Sequence, residues 1–246
     1  MFKLDIVIPV YNEGSNIGKV LDALIAQVKT PFRVLICYDQ DEDNTLPAIR
    51  EYPKRDEVAV TLVKNTGRGV HAAVMSGFRA TTAPGVLLMP ADDDYNADMI
   101  DDLYQKLERG CDIVVASRFI PGGCMVGSPP LKSFLVRAVA ATLRHLARIP
   151  THDPTNGFRL FSRRVVDRIV IESSQGFTFS IELLVKCHRL GWKIDEVPAK
   201  WFERTAGNSR FKVFAWAPSY LRWYFYAFAT TYLHRGPETV PLKDSL

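Results

Sequence analysis

The first half of the chain alternates between short apolar runs rich in β-branched residues and longer segments with helical spacing. The apolar runs are residues 4–10, 32–38, 58–64, 85–90 and 111–119. Between the first two runs, residues 16–28 place apolar side chains at i, i+3 and i+4, which is typical of an amphipathic helix. Strands that alternate with helices predict an α/β fold, in which a mostly parallel, doubly wound sheet carries helices on both faces.

Polar clusters follow the ends of four of the predicted strands. They are residues 11–13, 39–43, 65–69 and 92–94. Because ligands of such sheets bind outside the carboxyl ends of the parallel strands, we expect the clusters to meet at one rim. The sequence therefore predicts a ligand site along this edge of the sheet.

The second half of the chain is less regular than the first. Residues 120–130 are predicted to be a loop and residues 131–148 a helix, and an aromatic-rich apolar stretch lies at 213–233. We find no internal repeat and no low-complexity linker. We therefore interpret residues 1–212 as one domain and residues 213–246 as a C-terminal aromatic helix and tail.

Composition limits the expected partners and compartment. The net charge of +4 is too small to indicate nucleic acid, so no nucleic-acid partner is expected, but it suits anionic ligands and lipid headgroups. No cysteine pair has metal-binding or CxxC spacing, which predicts reduced, packed thiols and points weakly to a cytosolic compartment. The first apolar run is too short for a signal peptide.

An unusual acidic turn lies in LLMPADDDYNADMI, residues 87–100, where Asp92, Asp93 and Asp94 directly follow a predicted strand. Adjacent carboxylates repel one another, and a bound divalent cation would offset that repulsion. A solvated loop would also do so, as would the first turn of the helix expected near Ala97. In an extended segment residues i and i+2 point the same way, so Asp92 and Asp94 can share one cation while Asp93 turns aside.

Seven segments occur in an order and spacing that are specific together, although each is weak alone. They are DIVIPVYNE, the acidic loop after the second strand, KNTGRGVHAAVMSGFRA, LLMPADDD, VVASR, DPTNGFRLFSR and EVPAKWFERTAGNSRF. In these segments the chain resembles the family-2 glycosyltransferases of GT-A fold and, among them, the dolichyl- or polyprenyl-phosphate sugar transferases. The resemblance implies a GT-A catalytic domain over residues 1–212 and a nucleotide-sugar donor of the GDP-mannose or UDP-glucose type.

The resemblance assigns the nucleotide site to residues in and beside the first three polar clusters. They are Pro9, Tyr11, Glu13, Asp39, Asn65, Gly67 and Arg68. The family usually has two adjacent aspartates after the second strand, whereas this chain has Tyr38 before Asp39. Glu13 alone also fits a charge at a helix N-terminus, and the NTGRG loop also fits a structural turn, because it lacks the Lys-Ser/Thr of a Walker motif. For residues 41–43 we expect a solvated surface loop.

The resemblance also implies a Mg²⁺ or Mn²⁺ ion that Asp92 and Asp94 hold against the donor diphosphate. The family typically has Asp-x-Asp here, and Pro90 takes the place of its first aspartate, with Asp92 in the second place. Asp92 and Asp94 restore the same spacing two residues later. The ion would act as a Lewis acid on the departing nucleotide diphosphate.

Three basic residues match those that bind the acceptor phosphate or the donor diphosphate in the lipid-phosphate transferases: Arg118, Lys132 and Arg204. Together with the metal-binding aspartates, Arg118 and Arg204 make up the expected catalytic set. The resemblance also places Asp153 and Arg159, in DPTNGFR, near the acceptor.

The expected activity is inverting transfer of a hexose to a polyprenyl or dolichyl phosphate. A phosphate acceptor is already anionic near neutral pH and needs no general base, whereas a hydroxyl acceptor needs one, for which Glu182 is the best candidate. Two alternatives stay open. One is a family-2 transferase with a saccharide or protein hydroxyl as acceptor, and the other is a non-catalytic nucleotide-sugar-binding protein.

Two features predict contact with a membrane surface. Arg137, Arg144 and Arg148 are expected on one face of the helix over 131–148, which suits anionic headgroups. The stretch 213–233 has the composition of an interfacial belt, although a helix packed on the domain is the open alternative. We expect peripheral, monotopic attachment on the cytoplasmic face.

Overall fold

A computed structural model describes residues 1–53, 58–203 and 213–243, with side chains from residue 218 onward in the last segment. The strands are β1 Leu4–Pro9, β2 Phe32–Tyr38, β3 Ala59–Lys64, β4 Gly85–Leu88, β5 Ile113–Ser117, β6 Cys124–Val126, β7 Arg159–Ser162, β8 Ile194–Pro198 and β9 Lys200–Phe202. The α-helices are α1 Gly14–Gln27, α2 Thr45–Glu51, α3 Gly69–Ala80, α4 Ile100–Glu108, α5 Pro130–His145, α6 Arg163–Arg168, α7 Thr178–Arg189 and α8 Val213–Tyr232. Short 3₁₀ turns lie at Ala97–Met99 and Pro237–Thr239.

The main sheet has the strand order β3-β2-β1-β4-β7-β5-β8. Its neighbouring strands are parallel except at β7, which runs antiparallel to both β4 and β5. The prediction of a mostly parallel α/β sheet is confirmed. A second, two-stranded sheet pairs β6 with β9. Strand β7 was not predicted, and the prediction of a loop over 120–130 was wrong where β6 lies.

Successive side chains of β1 point to opposite faces of the sheet, as the strand repeat requires. Leu4, Ile6 and Ile8 belong to a buried cluster with α1 and α4, whereas Val7 belongs to a second cluster with α3 and α7. The prediction of helices on both faces is therefore confirmed. On the second face Gly77 allows close packing, because a Cβ there would lie 2.5 Å from the Val7 side chain. All four cysteines are free thiols and three of them are buried, in agreement with the sequence analysis.

One face of α8 packs against α7 and brings Trp223 and Ala227 into the second core cluster. Arg189 of α7 donates hydrogen bonds to the Tyr226 carbonyl oxygen at 2.8 Å and to Thr230 Oγ1 at 2.9 Å. The aromatic helix is thus attached to the body of the protein through both apolar and polar contacts.

The other face of α8 exposes Leu221, Phe225 and Tyr232. Among the residues that the structure describes, no helix combines the length and the apolarity needed to cross a bilayer. The packing of α8 agrees with the alternative interpretation of the aromatic stretch as a helix on the domain. Its role at a membrane stays a prediction, as does the domain boundary at residue 212.

Candidate active site

The carboxyl ends of the parallel strands form the rim at which the polar clusters were expected to meet. Pro9, at the end of β1, stands in register with Cys37 of β2, and Val7 is in register with Leu88 of β4. The segments after these strands therefore emerge side by side. Hydrogen bonds around residues 12–14 join the loop after β1 to the loop after β2. Hydrogen bonds of Asp39 join the loop after β2 to the loop after β3.

The loop after β1 is bound to the loop after β2 through Asp43. The Asp43 carboxylate accepts hydrogen bonds from the Asn12 backbone N–H at 3.1 Å and from the Thr45 N–H at 2.8 Å. Asp41 and Glu42 are exposed, but Asp43 is only 4% exposed. The prediction of a solvated surface loop was therefore wrong for Asp43, because this carboxylate is buried and accepts hydrogen bonds from two backbone N–H groups.

The next two residues of the same loop are held in a similar way. The Glu13 N–H donates to Thr45 Oγ1 at 2.9 Å, and the Gly14 N–H donates to Asn44 Oδ1 at 2.9 Å. Gly14 is required here, because a Cβ on it would lie 2.6 Å from the Asn44 carbonyl oxygen. Sequence reasoning missed these roles, although Asp-x-Thr before a helix is a signal of an Asx turn. The side chains after β2 thus fix the loop that carries Tyr11 and Glu13.

The expected nucleotide contacts of this loop lie at the rim. Pro9 ends β1, and Tyr11 is 41% exposed. Glu13 immediately precedes α1, and its carboxylate accepts a hydrogen bond from Asn16 Nδ2 at 2.8 Å. That position agrees with a charge at the helix N-terminus and also leaves Glu13 at the edge where a nucleotide would bind. A nucleotide role for these residues stays a prediction.

Asp39 closes the NTGRG loop against the end of β2. Its Oδ1 accepts from Asn65 Nδ2 at 2.6 Å and its Oδ2 accepts from the Gly69 N–H at 2.7 Å. Asn65 Oδ1 in turn accepts from the Gly67 N–H at 3.0 Å, and Arg68 is exposed just before α3. The structure thus brings together four of the expected nucleotide residues. A ribose or base contact to Asp39 would use the remaining lone pairs of its carboxylate.

Of the three carboxylates in the acidic turn after β4, only the middle one is buried. Asp93 is only 5% exposed and accepts hydrogen bonds from the Asn96 N–H at 3.1 Å and from Asn96 Nδ2 at 2.8 Å. Burial raises the pKa of Asp93 to about 7 despite these hydrogen bonds. Asp92 is partly exposed and Asp94 is exposed. The expectation that Asp93 turns aside from its two neighbours is confirmed.

The structure excludes one of the explanations of the acidic turn, namely that its aspartates lie in the first turn of a helix. The helical structure begins only at Ala97, so the three aspartates are not in its first turn. Within the described ranges, no group of three or more His, Cys, Asp or Glu side chains is placed to hold a metal ion. Mg²⁺ commonly takes one or two protein carboxylates and completes its coordination with substrate phosphates and water. Asp92 and Asp94 fit that donor set, and the solvated loop stays the alternative.

Arg118, at the carboxyl end of β5, forms a buried ion pair with Asp153. Its Nε lies 2.6 Å from Asp153 Oδ2 and its Nη2 lies 2.8 Å from Oδ1, while Nη2 also donates to Thr155 Oγ1. Burial alone would raise the pKa of the Asp153 carboxyl, but the hydrogen bonds and charge of Arg118 hold that pKa below its usual range. Nη1 of Arg118 lies 4.0 Å from Met125 Sδ. With Asp153 in place, an acceptor phosphate would be reached mainly through Nη1.

Asp153 and Arg159 do not line an acceptor surface, because both are fully buried. Arg159 Nη1 donates to the Ser180 carbonyl oxygen and Nη2 to the Pro154 carbonyl oxygen, each at 2.5 Å. Burial lowers the pKa of the Arg159 guanidinium to about 10. Their burial excludes direct contact with an acceptor, and their expected position near the acceptor stays a prediction. They instead fix the turn after residue 153 against α7 and hold Arg118 in place.

Lys132 lies on the first turn of α5, near the two-stranded sheet. Its Nζ is 3.1 Å from Glu203 Oε2 and 4.8 Å from the centre of the Trp201 ring. The side chain remains 39% exposed. Arg204, the third expected phosphate ligand, lies outside the described residues.

Glu182 was the candidate base for a hydroxyl acceptor, and the structure contradicts that role. The side chain is fully buried on α7, where Oε1 lies 2.6 Å from Lys186 Nζ. Oε1 and Oε2 also accept the backbone N–H groups of Glu172 and Ser173, at 2.6 and 2.8 Å. A carboxylate with an ion-pair partner and two amide donors stabilises the fold and has no access to a substrate.

Two relatives with similar sequences are polyprenyl-phosphate mannosyltransferases by name. The polyprenol monophosphomannose synthase of Mycolicibacterium smegmatis is 26% identical over 211 residues, which make up 83% of this chain and 79% of that protein. The undecaprenyl-phosphate mannosyltransferase of Micrococcus luteus is 29% identical over 210 residues, or 83% of this chain and 85% of that protein.

The fold is similar to that of glucosyl-3-phosphoglycerate synthase from Mycobacterium tuberculosis, in a crystal structure with Mn²⁺, UDP-glucose and phosphoglyceric acid. The TM-score is 0.65 at 18% identity, over 91% of this chain and 80% of that one. At this identity the similarity supports the GT-A fold alone. Residues 5–170, more than half of the chain, match the family described as Glycosyl transferase family 2, and the protein therefore belongs to that family.

Proposed function

We propose that this protein transfers a hexose from a nucleotide sugar to a polyprenyl or dolichyl phosphate, with Mg²⁺ or Mn²⁺ as cofactor. The observation that carries the proposal is the position of Lys132, a cation on the first turn of α5 beside exposed Leu131, Phe134 and Leu135, whose exposed fractions are 71, 68 and 51%. A phosphate with a long apolar tail matches a cation flanked by apolar side chains. The names of the two polyprenyl-phosphate relatives support the same acceptor class.

On the donor side, the two pairs of loops would bind the nucleotide and Asp92 and Asp94 would hold the metal ion. When bound, the ion supplies positive charge to the departing diphosphate. The loops after β1 and β2 are fixed by Asp43 and Asp39, so little reorganisation is needed when the nucleotide binds. In this arrangement the transferred hexose would lie between the nucleotide-binding loops and the residues that bind the acceptor phosphate.

On the acceptor side, an anionic phosphate oxygen would attack the anomeric carbon as the bond from that carbon to the diphosphate oxygen breaks. The configuration at the anomeric carbon is inverted by this single displacement. Arg118, Lys132 and Arg204 would reduce the repulsion between the two phosphate groups. No proton has to leave the nucleophile, which agrees with the burial of Glu182 in an ion pair. Glu182 was the candidate general base for a hydroxyl acceptor, and its burial counts against that alternative.

The test is a transfer assay with purified protein, GDP-mannose or UDP-glucose, and either undecaprenyl phosphate or undecaprenol. With Mn²⁺ or Mg²⁺ we expect a sugar-phosphate lipid from one donor, no product from the uncharged alcohol, and loss of product with EDTA. Transfer to the alcohol or to a saccharide would establish the hydroxyl-acceptor alternative. Binding of a donor without transfer to any acceptor would favour the non-catalytic alternative.

Contact with a membrane surface, on the cytoplasmic side, is part of the same proposal. Leu131, Phe134 and Leu135 present an apolar face of α5, and exposed Arg137 lies over the Phe119 ring. The expected basic face is shorter than predicted, because α5 ends at His145 and Arg148 lies beyond it with φ +57°. Apolar side chains beside basic ones suit the boundary between headgroups and acyl chains.

We expect Phe134→Ser with Leu135→Ser to reduce flotation with vesicles of phosphatidylcholine and phosphatidylglycerol by about tenfold. The control is Leu62→Ser, which removes an exposed apolar side chain from β3. Equal flotation of both variants and the unmodified protein would exclude α5 as the lipid-contacting surface.

A further inference from the structure

One buried side chain, Asn96, joins the short strand β9 to the segment after the acidic turn through two hydrogen bonds. Asn96 Oδ1 accepts the Lys200 backbone N–H at 2.9 Å, and Asn96 Nδ2 donates to the Lys200 carbonyl oxygen at 2.9 Å. The amide of Asn96 thus pairs with both backbone groups of one strand residue, as a neighbouring strand would. Asn96 is only 2% exposed, so water does not compete for these hydrogen bonds.

The other side of Asn96 is bound to the acidic turn. Its backbone N–H and its Nδ2 both donate to the Asp93 carboxylate, at 3.1 and 2.8 Å. Asp93 lies between Asp92 and Asp94 in the chain, so these hydrogen bonds restrain the backbone that carries the other two carboxylates. Asn96 therefore connects the proposed metal ligands to β9 through two buried side chains.

The strand β9 and the residue after it contact Lys132, one of the proposed acceptor ligands. Trp201 lies under Lys132 Nζ, and Glu203 at the end of the strand forms the ion pair with Lys132. Within the described residues, β9 is also held by the three-residue strand β6, by a hydrogen bond from the Glu203 N–H to the Val126 carbonyl oxygen at 3.0 Å, and by the Tyr95 ring, which contacts Phe202 edge-on at 5.0 Å. Asn96 thus helps to set the position of Trp201 and Glu203, which contact Lys132, relative to the acidic turn.

We infer that Asn96 is a positioning residue, which sets the distance between the donor side and the acceptor side of the active site. The inference rests on the proposed transfer to a lipid phosphate and adds a role that the family resemblance does not assign. Asn96 does not touch either substrate in this account. It acts through Lys200 on Trp201, Glu203 and Lys132.

The experiment compares Asn96→Ala with Lys200→Ala in the transfer assay. Asn96→Ala removes both hydrogen bonds to β9 and the bond from Nδ2 to Asp93, but it keeps the backbone N–H that donates to Asp93. Because that backbone donor still holds Asp93, we expect the KM for undecaprenyl phosphate to rise about tenfold while the donor KM changes less than threefold. Lys200→Ala is the matched control, because it removes only a side chain whose Nζ lies 3.9 Å from Asp98. It keeps both backbone groups and should leave both KM values unchanged.

Two further measurements separate positioning from a general loss of structure. Lys200→Pro removes the N–H that Asn96 accepts without changing Asn96, and it should reproduce the acceptor effect. Deuterium uptake of a peptide covering residues 199–203 should rise in Asn96→Ala and stay unchanged in Lys200→Ala, with or without metal ion. Equal changes in donor KM and acceptor KM, or unchanged deuterium uptake, would overturn the inference. If the unmodified protein makes no lipid product, the proposed function fails, while deuterium uptake still decides whether Asn96 holds β9.

Discussion

Replacing Asp92 and Asp94 together by Ala should lower transfer by about a thousandfold and remove the metal-dependent part of donor binding. The physical reason is that a nucleotide diphosphate and two carboxylates repel one another unless a divalent cation lies between them. Without these carboxylates the ion loses its protein ligands, and the departing diphosphate loses its main charge stabilisation. Calorimetric titration with the nucleotide sugar, with and without Mn²⁺, measures the metal-dependent part of its binding free energy directly.

The control is Asp41→Ala with Asp98→Ala, which removes the same charge from exposed positions with side chains 67 and 59% exposed. We expect this variant to bind donor and ion normally. Because Asp94 is exposed and Asp92 partly so, the melting temperature of the Asp92→Ala, Asp94→Ala protein should stay close to that of the unmodified one. Donor and ion bound as tightly as before would refute the metal site and leave the solvated loop as the explanation of the acidic turn.

The strands of the main sheet were predictable where a run of apolar residues is long enough to reveal burial on both faces. FRVLICY and CDIVVASRF contain buried parallel strands, and each was located to within three residues at either end. RLFS was missed because a four-residue strand is defined by the partners on either side of it, β4 and β5, which are far away in sequence. Insertion of this antiparallel strand is a property of the whole sheet, and no local pattern encodes it.

The candidate site shows the same division between local and long-range information. Strand ends and residue types were enough to predict the rim and the grouping of Asp39 with Asn65. They were also enough to predict that Asp93 turns aside from Asp92 and Asp94, which are more exposed than Asp93. The roles of Asp43 and Glu182 could not be predicted in this way. The sequence does not distinguish a carboxylate that faces solvent from one that accepts hydrogen bonds from buried amides. Only the partners, Asn12 and Thr45 for one and Lys186 for the other, distinguish a structural carboxylate from a functional one.

Asp153→Asn should destabilise the protein by about 3–5 kcal/mol at pH 7, because it leaves the Arg118 guanidinium buried without its counter-charge. Urea unfolding measures this difference. The control is Asp195→Asn, which removes the partner of Lys106 from a pair whose side chains are 39 and 29% exposed. Solvent screening limits that pair to about 1 kcal/mol.

The destabilisation of Asp153→Asn is also expected to depend on pH. The pKa of Asp153 is lower in the folded protein than in the unfolded chain, so the unfolded chain binds more protons as the solution is acidified. The stability that the Asp153 charge contributes is therefore complete above the unfolded pKa of about 3.9 and is lost as the pH falls towards the folded value. We expect the difference between Asp153→Asn and the unmodified protein to be the same at pH 7 and pH 5 and to shrink below about pH 4. A difference that is small at pH 7, or that grows on acidification, would show that the Asp153 charge does not stabilise the folded protein through Arg118.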